Sequence, residues 1–395
     1  MNIVIFTEIK SKGGLDTFLV NLVNNWPNST DDLTIYCNND HPEIYDLKNK
    51  INRKVLFKAY TYSKFISFLS HLSTNHNKNT LIKIFYRIIE LPIIYPYFIL
   101  FLCTKIFYDK KYDRLLIVNG GYPGSLICRA APPAWFLNGH KGKVFFNFHN
   151  FCEPTPFYGF YEFFIDFLVK KFTNKFISVS KLATNSIMNR RIFYSSKKLT
   201  IYNGVNDFYK KKPIKVITNE KYCLMLSRLH PDKGHLFLIS SFRLVVNVLP
   251  SAKLLIFGNG SIKYKNELIR FIEENKLSNN ISIFPAVSNV SDVLKGSVML
   301  IAPSICNESF NYTIIEAMCC KKPVIVTNYG AMPEVIGNSG AGFVVPVNKQ
   351  ILSNKIIELL EDSDLSEKMG CNGRKFFEKT YKASLMSMSY HNAIM

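Results

Sequence analysis

"VMLIAPSICNESFNYTIIEAMCCKKPVIVTN", residues 298–328, decides the fold. It opens and closes on short apolar runs, VMLIAPS and PVIVTN, each with the length and composition of a buried strand. A polar loop and a helical stretch lie between them. Strand, helix, strand is the repeating unit of a parallel sheet covered by helices. The stretch also holds two acids, Glu308 and Glu316, eight positions apart with only uncharged residues between them. Desolvating an unpaired carboxylate costs several kcal/mol, so both acids need a reason.

The same alternation runs in both directions from this stretch. NIVIFTE, LTIYC, RLLIVNGG, KVFFNFHN and KFISVS read as strands in the first half, with helical patterns such as GLDTFLVNLVNNW and YEFFIDFLVKKF between them. The pattern restarts after VNDFYKKKPIKVITNE, a polar, lysine-rich, linker-like stretch. YCLMLSR, KLLIFGNG, ISIFPA, VMLIAPS, PVIVTN and GFVVP form the second series. Two doubly wound α/β domains are expected, which suits a chain of 395 residues.

The chain is 48% apolar and carries a net charge of +20. The excess is uneven: residues 51–205 hold 22 basic and 6 acidic side chains, and residues 206–395 hold 23 and 16. The basic half includes an uncharged run over residues 91–104, too short to span a bilayer at ~18 residues or more. Pro92 and Pro96 interrupt it, and Lys83, Arg87, Lys105, Lys110 and Lys111 flank it. Such a segment suits an anionic membrane interface. It equally suits a core helix with a solvated basic face. No nucleic-acid motif is present, so nucleic acid is not expected as a partner. The nine scattered cysteines suggest neither a metal site nor a disulfide framework, and the start lacks the features of a signal peptide. A cytoplasmic location is expected.

Open parallel sheets bind ligands beyond the carboxyl ends of their strands. Lys12-Gly13-Gly14 comes after the first strand and opens a helix, whose N-terminus attracts anions. RLHPDKGH places Arg228 and Lys233 in one loop, and GNGS comes after the next strand. Glycine turns alone say little, because any tight strand-to-helix loop uses them.

Two readings of the acids stand side by side. Thr313 to Glu316 fits a capping box, in which the hydroxyl caps the helix and the acid reaches back; Glu308 is then an ordinary loop acid. Alternatively, the amides of Phe310, Asn311 and Tyr312 hold a phosphate or a sugar hydroxyl, and the two carboxylates each accept hydrogen bonds from a diol. A sugar at one acid, a ribose at the other and a diphosphate met by Arg228 and Lys233 describe a nucleotide-sugar.

With these residues the chain resembles a family, the retaining GT-B glycosyltransferases. That group includes sucrose and trehalose-related synthases and bacterial cell-surface sugar transferases. The likeness is densest from SRLHPDKGH (227–235) through ESFNYTIIEAMCCKKPVIVTNYGAMPEVI (308–336), and it includes KGG at 12–14 and IYNGVN at 201–206. The glutamates with seven residues between them are the family's most specific mark.

The resemblance implies two Rossmann-like domains facing a central cleft. Residues 1–205 would form an acceptor- and membrane-facing domain and 206–375 a nucleotide-sugar donor domain, with a helix over 376–395 crossing back to the first. It implies that Glu308 contacts the donor sugar, Glu316 holds the ribose, Arg228 and Lys233 bind the departing diphosphate, and Gly14 offers a backbone amide. His149 matches a histidine near the donor sugar; its plain alternative is a structural histidine at a strand end. The chain departs from the family at Asn311, Lys321 and Pro285, where glycine is common, at Ala331, where a second glycine is usual, and at Asn150, where an acid often stands. These departures bear on donor identity more than on activity.

The resemblance further implies transfer of a hexosyl or N-acetylhexosaminyl group, with retention and without metal or cofactor, to a lipid-linked or nascent cell-surface glycan. The setting would be polysaccharide or lipopolysaccharide biosynthesis at the inner face of the plasma membrane. The sequence has no Asp-x-Asp that would bind a divalent ion beside a diphosphate. A nucleotide-sugar epimerase or phosphorylase on the same architecture is the alternative, and a non-catalytic sugar-nucleotide binder is a third. The intact Arg228, Lys233, Glu308 and Glu316 set disfavours the binder, and the basic apolar half favours the transferase.

Overall fold

The computed structural model describes residues 1–10, 13–64, 66, 90–109, 111–155, 160–210 and 220–395. Lys12, Lys83, Arg87, Lys110 and most of the lysine-rich stretch after Lys210 lie outside these. The chain divides into two compact units, Met1–Ile201 with Ser387–Met395, and Tyr202–Met386.

The first unit is built on a parallel sheet of seven strands: β1 (Asn2–Thr7), β2 (Asp32–Asn38), β3 (Leu56–Tyr60), β4 (Arg114–Asn119), β5 (Lys143–Phe148), β6 (Lys175–Ser178) and β7 (Lys198–Thr200). Their order is β3-β2-β1-β4-β5-β6-β7. β1, β4 and β5 are almost wholly buried, as expected of strands covered on both faces. The edge strands β3 and β7 are only partly buried and mixed in composition, LFKAY and KLT.

The second unit has six parallel strands: β8 (Tyr222–Leu226), β9 (Leu254–Phe257), β10 (Ile281–Phe284), β11 (Ser297–Ala302), β12 (Val324–Thr327) and β13 (Gly342–Val345). Their order is β10-β9-β8-β11-β12-β13. In each unit the chain starts in mid-sheet, winds to one edge, then returns to the other side of its first strand. The reversal falls between β1 and β4 in the first unit and between β8 and β11 in the second. A crevice at the strands' carboxyl ends opens at such a point.

Residues 90–106 in the first unit form a helix whose middle, Tyr95–Phe101, is flanked by wider π-type turns at Glu90–Ile94 and Leu102–Ile106. Ile94, Phe98, Leu102 and Ile106 are all buried in the core. They recur every fourth residue, and the widened turns keep such a row on one face where a regular α-helix would let it drift. Phe101 packs partly buried against the same core, and Leu100 is exposed. The inward face of this run is therefore core, not an apolar surface offered to a membrane. Among the described residues, no helix is long and apolar enough to cross one.

Candidate active site

Two loops at the β8/β11 switch point build the site. After β8, Ser227 and Arg228 leave the sheet, Pro231–Lys233 makes one tight turn, and helix His235–Val248 begins. Between turn and helix, Gly234 has φ 76°, and a Cβ there would lie 1.9 Å from the Pro303 carbonyl oxygen. Only glycine lets the two loops approach this closely. The Ile305 N–H donates to the Asp232 carbonyl at 2.9 Å and ties them again.

This closure brings Lys233 to Glu308, with Nζ 2.9 Å from Oε1. The Ser304 hydroxyl donates to the same oxygen, and the Asn311 side-chain amide donates to Oε2 at 3.2 Å. A third loop fixes the backbone: the Ala331 N–H donates to the Glu308 carbonyl at 2.7 Å. Gly330, at φ 58°, lies so near that a Cβ would sit 2.3 Å from the Glu308 nitrogen. Glu308 is thus positioned by the loops after β8, β11 and β12. Arg228, on the first of these, is exposed, and no carboxylate among the described residues pairs with it.

Helix Tyr312–Cys319 comes shortly after Glu308, and its N-cap is Asn311. The Asn311 side-chain oxygen accepts from the Thr313 N–H at 3.0 Å and from the Thr313 hydroxyl at 2.8 Å. The cap sits two residues before Thr313, so Thr313 and Glu316 do not form a capping box. The Asn311 side chain thus joins the cap to Glu308. Glu316 falls beyond the first turn. It is half-buried, and among the described residues nothing donates a hydrogen bond to its carboxylate. Desolvation pushes its pKa up to about 7. A carboxylate held this way costs folding free energy that its own surroundings do not return.

Phe310 stacks edge-on to Tyr312 at 5.6 Å between ring centres and packs partly buried against the core below. The GNGS turn packs against the first loop, with the Leu229 N–H donating to the Asn259 carbonyl at 2.8 Å. Its glycines serve that backbone contact.

Gly14 and His149 belong to the first unit. Gly14 begins helix Gly14–Asn24 and is exposed. The Gly13 N–H at that end donates to the Asp16 carboxylate at 3.1 Å, so the helix's own acid answers part of its positive end. His149 comes just after β5, and its ring stands edge-on to Phe18 of that helix, 4.2 Å between centres. Burial lowers its pKa to about 3, so the imidazole is neutral near pH 7.

Arg228, Lys233, Glu308, Phe310, Asn311, Tyr312 and Glu316 therefore all lie on the β8 and β11 loops and the helix after them. Sequence reasoning missed Ser304, Thr327 and Gly330. Ser304 holds Glu308, and the Thr327 hydroxyl donates to the Ser304 carbonyl. Their only signal is position, since Ser304 lies just past β11 and Thr327 ends β12.

Residues 207–376, nearly all of the second unit, match the family described as Glycosyl transferases group 1. The match covers the second unit and less than half of the chain. Over 248 residues the chain is 25% identical to the capsular polysaccharide biosynthesis glycosyltransferase CapM of Staphylococcus aureus, covering 57% of this chain and 63% of that one. Over 289 residues it is 26% identical to a poly(ribitol-phosphate) alpha-N-acetylglucosaminyltransferase of the same species, covering 70% and 54%. The chain thus spans little more than half the length of these curated relatives. Among solved structures, HepE of Anabaena, crystallised with UDP, superposes over 100% of this chain and 99% of its own at a TM-score of 0.75 and 17% identity.

Proposed function

We propose that this protein is a retaining glycosyltransferase that moves a sugar from a nucleoside-diphosphate sugar to a lipid-linked or nascent cell-surface glycan. One observation carries the reading: the Lys233–Glu308 pair stands at the β8/β11 switch point beside an exposed Arg228 and a carboxylate, Glu316, that lacks a partner among the described residues. In the resting protein Lys233 is neutralised by Glu308. A donor diphosphate recruits Lys233 and Arg228, which turns Glu308 towards the sugar hydroxyls. The ribose diol supplies the hydrogen bonds that Glu316 lacks.

The acceptor oxygen then bonds to the anomeric carbon as the bond from that carbon to the phosphate oxygen breaks. The electron pair leaves with the nucleoside diphosphate, and the acceptor's proton passes to the leaving phosphate on the same face. Two cations and the helix N-terminus meet the developing charge, which requires no metal. His149, neutral near pH 7, serves as a hydrogen-bonding group and not as an acid. The acceptor class is supported by the capsular and poly(ribitol-phosphate) relatives, and a place at the inner face of the plasma membrane suits it.

A panel of nucleotide-sugars, uridine diphosphate sugars first, tests this by release of nucleoside diphosphate with and without EDTA. Turnover is expected in both conditions. Arg228→Ala and Lys233→Ala are expected to lose ~10²-fold or more in kcat with the fold intact. Wild-type rates in both variants would remove the diphosphate assignment.

A further inference from the structure

Helix Phe160–Phe172 carries its charges inside out. Its two acids face inward: Glu162 and Asp166 lie 2.5 and 2.7 Å from the fully buried Arg190 guanidinium. The Tyr122 hydroxyl also donates to Asp166, at 2.6 Å. Ile165 and Val169 share this buried face. The outward face shows three aromatic rings, Phe163, Phe164 and Phe167, at 59%, 50% and 45% exposure. Lys171 is exposed and Lys170 half-buried at the helix's end. The neighbouring helix Leu126–Leu137 extends the apolar face, because Phe136, 57% exposed, stacks on Phe172 at 4.6 Å. Leu137 beside it is 65% exposed, and Lys141 and Lys143 come next in exposed positions.

We propose that this face, centred on Phe163, Phe164 and Phe167 with Lys170 and Lys171, docks on an anionic lipid surface. Contiguous exposed apolar area of this kind marks an interaction surface. Charge identifies the occupant. With both acids turned inward, the described side chains on the helix's outer face are apolar and cationic, the composition of a helix lying in a membrane interface. A second copy would set the lysines against lysines, with no carboxylate on this helix's outer face to answer them. The surrounding residues 51–205 carry 22 basic and 6 acidic side chains, which draws that half towards anionic headgroups. Membrane docking here deepens the proposed function and rests on it for its purpose. Lipid binding and donor turnover are read separately, so either can fail alone.

The test is co-sedimentation of the full chain with phosphatidylglycerol vesicles and with phosphatidylcholine vesicles. Binding to the first is expected at low salt, weaker but not absent at high salt, with little binding to the second. Phe163→Ser, Phe164→Ser and Phe167→Ser together are expected to weaken binding roughly a hundredfold. Serine and phenylalanine have similar helix propensity, so the melting temperature and nucleoside diphosphate release should hold. Lys170→Ala with Lys171→Ala is expected to weaken it about tenfold at low salt and little at high salt. A protein that ignores phosphatidylglycerol vesicles, or a triple variant that binds them like the wild type, overturns the proposal. So does a wild-type dimer in sedimentation that the triple variant turns into a monomer.

Discussion

Glu316 shows what a single side chain gives up for a ligand. Its pKa stands near 7, well above the usual carboxylate range. Between those values the folded state holds a proton that the unfolded chain releases. Its contribution to stability is therefore present at low pH and lost as pH rises towards 7. Glu316→Gln, with a neutral group of the same shape, is expected to raise the melting temperature at pH 8 and to change it little at pH 5. It is also expected to weaken donor binding, because the amide offers a diol one uncharged acceptor oxygen where the carboxylate offers two charged ones. For the wild type, donor affinity measured by calorimetry should rise from pH 6 to pH 8 as the carboxylate forms. A Glu316→Gln protein with unchanged donor affinity would leave this carboxylate without a ligand role. Gly330 is constrained by the neighbouring Glu308 backbone. Gly330→Ala puts a methyl group against that backbone at φ 58°, and is expected to cost more than about 1 kcal/mol by denaturant melting, with a loss of turnover.

At the scale of elements, the strands are legible because parallel strands buried on both faces read as unbroken apolar runs. β1, β4, β8 and β11 announce themselves in this way. β3 and β7 do not, because edge strands bury little and so carry mixed residues. The helix cap at the site misleads for a local reason. Asn311 and Thr313 are both good caps, and only the backbone shows that Asn311, in an extended conformation, takes the role. Asn311→Ala is expected to cost ~1 kcal/mol, and Asn311→Ser to restore most of it. Loss of turnover in both would trace to the Asn311 bond to Glu308, which a serine is too short to replace. The run over residues 91–104 is ambiguous in sequence because uncharged, mostly apolar residues fill nearly every position, so the pattern does not say whether core or membrane takes its apolar side. Phe98 is in the core, so Phe98→Ser is expected to destabilise by at least the ~3–5 kcal/mol of a Phe→Ala change. The outward-facing phenylalanines of Phe160–Phe172 escape a sequence reading for the opposite reason. YEFFIDFLVKKF reads as amphipathic, but pattern alone does not say which face is inside when buried acids have an arginine waiting for them.

Across the whole molecule, each unit is a complete doubly wound sheet, yet only the second is continuous in the chain. The first recruits Ser387–Met395. Tyr390, fully buried, accepts from the Asn147 side chain at 2.8 Å; Ser387 donates to the Leu22 carbonyl at 3.0 Å; and Arg114 Nε donates to the Ile394 carbonyl at 3.0 Å. These partners lie on β4, β5 and helix Gly14–Asn24. Stopping the chain after Met386 is expected to lower hydrogen-exchange protection of β1, β4 and β5 while leaving β8, β11 and β12 protected. Equal loss in both sets would show that the segment supports the whole fold and not the first unit in particular.

That borrowed segment reverses the order in which the protein can be finished. Residues 1–201 leave the ribosome first, but one wall of their core is not synthesised until after the second unit. The nascent first unit waits, incompletely packed, through the translation of the second, and is closed by a helix made after it. Ribosome-arrested chains ending in the second unit should therefore be cut by protease within residues 1–201, and chains released at full length should not. A holding chaperone would find its client in the first-made half of this protein, and a late frameshift would damage the earliest residues.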